Sequence, residues 1–248
     1  MGVVIKFLLR VVLPVGVVGA VVAFLYFAVV NRQININGWF TGGMTMGVDV
    51  SSYQVGVDFA KLREQGVGFA YIKATEGASH VDPSFAEKWA GALEAGMPAG
   101  AYHFFSYGES GVRQAENFIA TVGDPGDERL IPMVDMELSV EEMKNPPEVE
   151  AVVTGLSAFV AVVKERYGVK PVIYSRQDYW DKYLAKDFGD YPRWVTNVLW
   201  PVYLESGDAW MVWQYNDCGR LQGYSGEECI NLDVVNNKFG LDVLRLSL

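Results

Sequence analysis

The sequence predicts an α/β fold, an irregular (β/α) barrel of the TIM-barrel-like kind, preceded by one N-terminal transmembrane helix. Three observations carry this. Val11 to Val30 is a run of twenty residues without a charge. From Met46 onward, eight short apolar runs follow one another, each of strand length. Between the earlier runs lie stretches with helical periodicity, and strand–helix alternation of this kind builds a mainly parallel sheet.

At 1.5 Å per residue, twenty helical residues match a bilayer core of about 30 Å. Lys6 and Arg10 precede the run and Arg32 follows it. The positive-inside rule then gives a single-pass protein of the inner (cytoplasmic) membrane, with its N-terminus inside and the rest of the chain in the periplasm or an equivalent exported compartment. A cleaved signal peptide is the competing reading, but Phe27-Ala28-Val29-Val30-Asn31-Arg32 is a poor cleavage site. The organisation expected is a cytoplasmic N-terminus and anchor over 1–32, a linker rich in Asn, Gly and Thr over 33–45, and one domain over 46–248. As a flexible coil the linker would reach only about 20 Å.

The expected strands are Met46–Val50, Gly68–Lys73, Ala99–Phe105, Leu130–Glu137, Pro171–Ser175, Arg193–Asn197, Ala209–Tyr215 and Cys229–Val234. The expected helices are Phe59–Gln65, Pro83–Ala95, Ser110–Val122 and Pro147–Tyr167, the last closed by Gly168. Eight strands in about 205 residues fit a barrel at the small end of the usual range. The later connections are too short for full helices, which makes the barrel irregular.

Composition excludes several functions. The chain has 30 acidic and 20 basic residues, net charge −10. Without residues 1–32 it keeps 17 basic residues against 30 acidic, net −13. An acidic chain without a basic run is a poor ligand for nucleic-acid phosphates. Two His and two Cys cannot make a four-ligand Cys/His zinc site, and neither common nucleotide-binding glycine loop is present. No metal or organic cofactor is implied. Cys218 and Cys229, eleven apart in the exported part, form a disulfide in an oxidising compartment, or else remain two thiols.

Polar residues gather where apolar strands end, the rim on which α/β barrels build active sites. Asp49 ends the first strand, Lys73 with Thr75-Glu76 the second, and Tyr102-His103 the third. Asp135 and Glu137 end the fourth, Trp213-Gln214-Tyr215 the seventh, and Asn231 and Asp233 lie in the last. Residues i and i+2 of a strand face one side, so Asp135 and Glu137 point into one cavity about 6–7 Å apart. Like charges in a partly desolvated site keep at least one carboxyl protonated, which glycosidic cleavage requires of its proton donor. His103 is either a substrate-pocket hydrogen-bonder or a satisfied structural residue. Tyr102, Tyr174, Trp194, Trp213 and Tyr215 are either sugar-stacking platforms or core aromatics.

Several segments in order resemble glycoside hydrolase family 25, the muramidases or Chalaropsis-type lysozymes. These are Gly47-Val48-Asp49-Val50-Ser51-Ser52-Tyr53-Gln54, Asp58-Phe59, Phe69 to Gly77, Gly100-Ala101-Tyr102-His103-Phe104, Pro132 to Glu137, Pro171 to Ser175 and Trp213-Gln214-Tyr215. The resemblance implies an irregular β/α barrel that hydrolyses the β-1,4 bond between N-acetylmuramic acid and N-acetylglucosamine in peptidoglycan. It implies Glu137 as proton donor, Asp135 as the group that orients the N-acetyl group or stabilises developing charge, and Asp49 as their partner across the cleft. Tyr53, Glu76, Tyr102, His103, Tyr174, Trp194, Trp213, Gln214, Asn231 and Asp233 are the expected substrate-binding residues. Family members usually carry Asp-x-Asn in the last strand, whereas this chain reads Asn231-Leu232-Asp233. Val55 and His80 also depart from the usual residue types.

The expectation is a membrane-anchored muramidase that acts on cell-wall glycan strands within reach of its tether, in local remodelling or in lysis. A tethered peptidoglycan-binding module with weak or no catalysis is the alternative, motivated by Asn231. A chitinase-like hydrolase using Asp-x-Glu is a third reading.

Overall fold

A computed structural model describes residues 12–30, 34–124, 126, 129–207, 209–226 and 229–246. Eight strands close a barrel: β1 (Thr45–Val50), β2 (Val67–Glu76), β3 (Ala99–Phe104), β4 (Met133–Asp135), β5 (Val172–Arg176), β6 (Arg193–Thr196), β7 (Val212–Gly219) and β8 (Ile230–Val235). From β1 to β7 each strand pairs in parallel with the next. The eighth runs antiparallel to both β7 and β1 and closes the ring. Consequently the N-terminal end of β8, with Asn231, lies on the same rim as the C-terminal ends of β1 to β7.

The helices behave as their sequence patterns dictate. Asp58 caps helix Phe59–Glu64 by accepting from the Lys61 N–H, and Ser110 caps Gly111–Val122 through the Arg113 N–H. In Val149–Tyr167 the buried residues Val152, Leu156, Phe159, Val160, Val163 and Tyr167 form one stripe, and left-handed Gly168 ends the helix. After β5 and β6 the connections hold only short turns, the longest being Trp180–Leu184 and Tyr203–Ser206. The irregularity expected of the second half is present.

Alternation along the strands sorts inside from outside. Phe69 and Tyr71 fill the barrel interior, with rings edge to face at 6.3 Å. A Cβ on Gly47 would stand 2.2 Å from the Phe69 ring, and one on Gly100 2.5 Å from that of Tyr71. Only glycine fits opposite these rings. Ala70, Ile72, Ala74, Ala101 and His103 are buried on the outer face of β2 and β3.

Two expectations about the N-terminal region change. Leu13–Val30 is an apolar helix of 18 residues, mostly exposed, and about 27 Å long at the usual rise. Among the described residues no helix is long and apolar enough to cross a membrane. The spanning helix expected over 11–30 is therefore not shown, because its described part ends short of a bilayer core of about 30 Å. Lys6, Arg10 and Arg32, on which the orientation rested, lie outside the described residues.

The second change concerns the linker. Asn35 Nδ2 donates to the Tyr215 carbonyl at 2.9 Å, and fully buried Asn37 donates to the Asn197 and Tyr215 carbonyls at 3.1 Å each. Phe40 meets Tyr203 edge to face at 5.8 Å. Residues 35–40 are fastened to the barrel and do not form a free coil, because their asparagine amides donate to the Asn197 and Tyr215 carbonyls.

Candidate active site

The rim formed by the C-terminal ends of β1 to β7 surrounds an open cleft of two lobes. One, with a cavity volume of about 510 Å³, is lined by Asp49, Tyr53, Lys73, Glu76, Tyr102 and Asp135. The other, of about 870 Å³, is lined by Arg176, Asp178, Thr196, Asn197, Trp200 and Gln214. Glu137, Tyr174, Asp217 and Asn231 belong to both lobes and form the wall between them.

Asp135 ends β4, and its Oδ1 accepts the Glu137 N–H at 2.9 Å. That bond locks the turn after the strand and keeps both carboxyls facing the cleft. Burial raises Asp135 well above the usual carboxylate range, and the neighbouring Glu137 charge adds to this. Burial also raises Glu137, while the Tyr174 hydroxyl and the Arg176 charge hold it back. Two carboxyls that share a desolvated site cannot both ionise freely near neutral pH.

A hydrogen-bond relay links Glu137 to the cleft floor. The Tyr174 hydroxyl lies 2.8 Å from Gln214 Oε1 and 3.1 Å from Glu137 Oε1. Gln214 cannot donate from Oε1, since its Nε2 donates to Asp49 Oδ2 at 3.0 Å. Tyr174 has one hydrogen. When that hydrogen serves the shorter bond to Gln214, Glu137 bonds Tyr174 only as a protonated acid. Thr196 also donates to Gln214 Oε1, at 2.7 Å, which keeps the amide oriented.

Asp49 lies on the cleft floor. Its Oδ1 accepts from Asn231 Nδ2 at 3.0 Å and its Oδ2 from Gln214. Burial pushes it up to about 6, against the pull of those two amides. Asn231 sits in register with Asp49 across the β1–β8 pair.

Three families of matches bear on this geometry. The pattern of glycosyl hydrolases family 25 matches residues 48–224. The chain belongs to this family. It is a glycoside hydrolase, a muramidase. Lysozyme M1 of Streptomyces globisporus is 32% identical over 218 residues, 81% of this chain and 69% of that protein. The N,O-diacetylmuramidase of Chalaropsis is 37% identical over 144 residues, 54% of this chain and 67% of that one. A family 25 glycosyl hydrolase structure from Bacillus anthracis superposes with a TM-score of 0.72 at 36% identity, covering 78% of this chain and 90% of that chain. The family match ends before β8, so Asn231 and Asp233 lie beyond it.

Of the residues expected from sequence, Glu137, Asp135, Asp49, Tyr53, Glu76, Tyr102, Tyr174, Gln214 and Asn231 line the cleft of this muramidase. Four do not. His103 is fully buried on the outer side of β3 and stacked on Phe159 at 4.9 Å. Its Nε2 donates to Gln114 Oε1 at 3.1 Å and its Nδ1 accepts from the Thr75 hydroxyl at 2.7 Å. Burial lowers it to about 4, so it stays neutral, a structural residue. Trp213 faces outward as well, against Trp210, and donates Nε1 to the Asn197 carbonyl at 2.9 Å. Trp194 points inward but lies beneath the cleft, between Tyr71 and Tyr174. Asp233 is buried below Asn231.

Sequence reasoning left out several lining residues. Lys73 ended the second strand but was not assigned a role. It pairs with Glu76 at 2.6 Å and lowers the neighbouring Asp135. Arg176 was recoverable, being two residues after Tyr174 on one strand face. Trp200 lies on a loop, where no periodicity marks it, and Asp217 lies in the part of β7 beyond Tyr215, where the sequence ended that strand. The disulfide joins Cys218 to Cys229 and closes the loop between β7 and β8. Within that loop Ser225–Gly226 pairs with Gln54–Val55, bracing the rim beside Tyr53. Among the described residues no group of three His, Cys, Asp or Glu side chains is placed to hold a metal ion.

Proposed function

We propose that this muramidase hydrolyses the β-1,4 bond between N-acetylmuramic acid and N-acetylglucosamine in peptidoglycan, with Glu137 as the proton donor. The single observation that carries the assignment is the buried Asp135–Glu137 pair on the wall between the two lobes, where burial raises both carboxyls and Tyr174 and Gln214 link Glu137 to Asp49. Glu137 protonates the leaving oxygen. Asp135, fixed by the Glu137 N–H, orients the N-acetyl group or stabilises positive charge at the anomeric carbon. Exposed Tyr53 in one lobe and Trp200 in the other offer sugar-stacking faces on either side of Glu137.

The same proposal places the enzyme at the outer face of the inner membrane, held by its N-terminal segment and acting on nearby wall. Its support is the uncharged run 11–30 with Lys6 and Arg10 before it, and the exposed apolar side chains from Val15 to Val30. Because residues 35–40 are fastened to the barrel, the cleft would stay close to the bilayer. Alkaline extraction of cell membranes tests this: full-length protein should stay in the pellet, and release into the supernatant would refute the anchor.

Asn231, in place of the usual Asp, favours a second reading, a wall-binding module with weak catalysis. Digestion of purified peptidoglycan with mass spectrometry of the products separates the two. Muropeptides with reducing-end N-acetylmuramic acid are expected, and Glu137→Gln should lower their yield about 10²–10⁴-fold while sacculus binding persists. Binding without products from the wild-type protein would establish the module.

A further inference from the structure

Asp233 has no part in the reaction described above, yet it lies in the barrel interior shielded from solvent. Neither of its carboxyl oxygens has a hydrogen-bond partner of ordinary geometry among the described residues. The β1–β8 register sets Asn231 opposite Asp49 and Asp233 opposite Gly47, one layer deeper. Gly47 has no side chain to occupy that layer, and the Asp233 carboxyl reaches the Asp49 carboxyl there. The indole Nε1 of Trp194, which also lacks a partner of ordinary geometry, faces Asp233 from β6.

Among the described residues, the groups that act on Asp233 include no cation. From β1 it meets Asp49 and from β6 Trp194, while Tyr215 on β7 feels the Asp233 charge without bonding to it. Gln214, paired with Asp233 in the β7–β8 register, turns its amide to Asp49. On the far side of Asp49 stand Glu137 and, beyond it, Asp135, Tyr102 and Tyr174. Lys73 acts on Asp135. Two carboxylates in contact, buried and without a counter-ion, repel strongly, whereas one proton between them makes a charge-assisted hydrogen bond. Asp49 already accepts from two neutral amides, Asn231 and Gln214.

We propose that Asp233 is a protonated carboxylic acid that donates its hydrogen to Asp49, and that this acid–carboxylate pair is the positioning device that holds Asp49 on the cleft floor. The usual Asp-x-Asn of the family is exchanged here for Asn231-x-Asp233. With the Asp233 acid added to the Asn231 and Gln214 amides, Asp49 accepts from three donors, and the Asp233 carboxyl lies beneath the cleft rather than in it. Burial, with the Asp49 charge second, pushes Asp233 well above the usual carboxylate range, in keeping with this assignment. The pair itself stands independently of the muramidase reading, while its effect on turnover rests on that reading.

Infrared difference spectroscopy on full-length protein near pH 7 tests the pair directly. In a Glu137→Gln background, in which Asp135 is the carboxyl common to both proteins that burial also raises, further substitution Asp233→Asn should remove one deuterium-sensitive carboxylic-acid carbonyl band. A band unchanged by Asp233→Asn would overturn the proposal. Melting curves give a second readout: the midpoint of Asp233→Asn relative to wild type should rise steadily from pH 4 to pH 8, because the variant has no acid to keep protonated. An equal drop at every pH would mean a charged Asp233 and would also overturn it. In turnover, Asp233→Asn keeps a donor and should stay within about threefold of wild type. Asp233→Leu should lower kcat more than tenfold with KM little changed, and should shift the acid limb of the pH profile upward. If wild-type protein yields no muropeptides, the muramidase reading fails, while the infrared and melting outcomes still decide the pair.

Discussion

The Tyr174 hydroxyl stands within donating reach of two acceptors, Gln214 Oε1 at 2.8 Å and Glu137 Oε1 at 3.1 Å. With Glu137 protonated, the acid donates to Tyr174. Once Glu137 has given its proton away, the hydroxyl can turn and donate to the new carboxylate. Tyr174 thereby lowers the cost of ionising the donor, in line with its downward pull on Glu137. Tyr174→Phe should therefore move the alkaline limb of kcat/KM to higher pH and lower kcat about tenfold. An unchanged limb would show that Tyr174 does not bond the donor.

Asp49 sets a second pH dependence. Its folded value, about 6, lies above the ordinary 3.8. A raised carboxyl leaves the folded state its full stability below the ordinary value, and that stability is lost as pH climbs through the folded value. The shift corresponds to about 3 kcal/mol, and about 2 kcal/mol once solvent access through the cleft is allowed for. Asp49→Asn should consequently raise the melting midpoint at pH 7 relative to wild type, with little gain at pH 4, while activity falls. Urea unfolding at the two pH values measures the difference.

His103 was expected to touch substrate and instead ties β3 to the surrounding helices. His103→Gln should lose the stacking on Phe159 and lower the melting midpoint by several degrees. Its kcat/KM, per folded molecule, should stay within about twofold of wild type. A loss of activity without a loss of stability would return His103 to the cleft.

Trp200 is 40% exposed and lines the larger lobe. Trp200→Ala should raise KM for glycan fragments about tenfold with kcat little changed, since stacking holds ground state and transition state alike. A fall in kcat at constant KM would instead assign Trp200 to the chemistry.

By itself the sequence determined the barrel, its eight strands within a few residues, and the polar rim with Asp49, Asp135, Glu137 and Gln214, while it left Tyr174 open between cleft and core. Strand periodicity is a local property and aims Asp135, but β4 ends there, and Glu137 reaches the same cavity through the turn that its N–H bond to Asp135 locks. The Asn231–Asp233 exchange was visible too. Tertiary structure alone decided depth and face. His103 and Tyr102 are adjacent in one strand and go to opposite sides of it. Trp194 points inward yet ends below the cleft, because the barrel interior is layered and a strand position sets the layer. The antiparallel turn of β8 put Asn231 at the rim and Asp233 beneath it. Only the closure of β8 on β1, a contact between residues about 180 positions apart, made the second carboxyl the neighbour of Asp49.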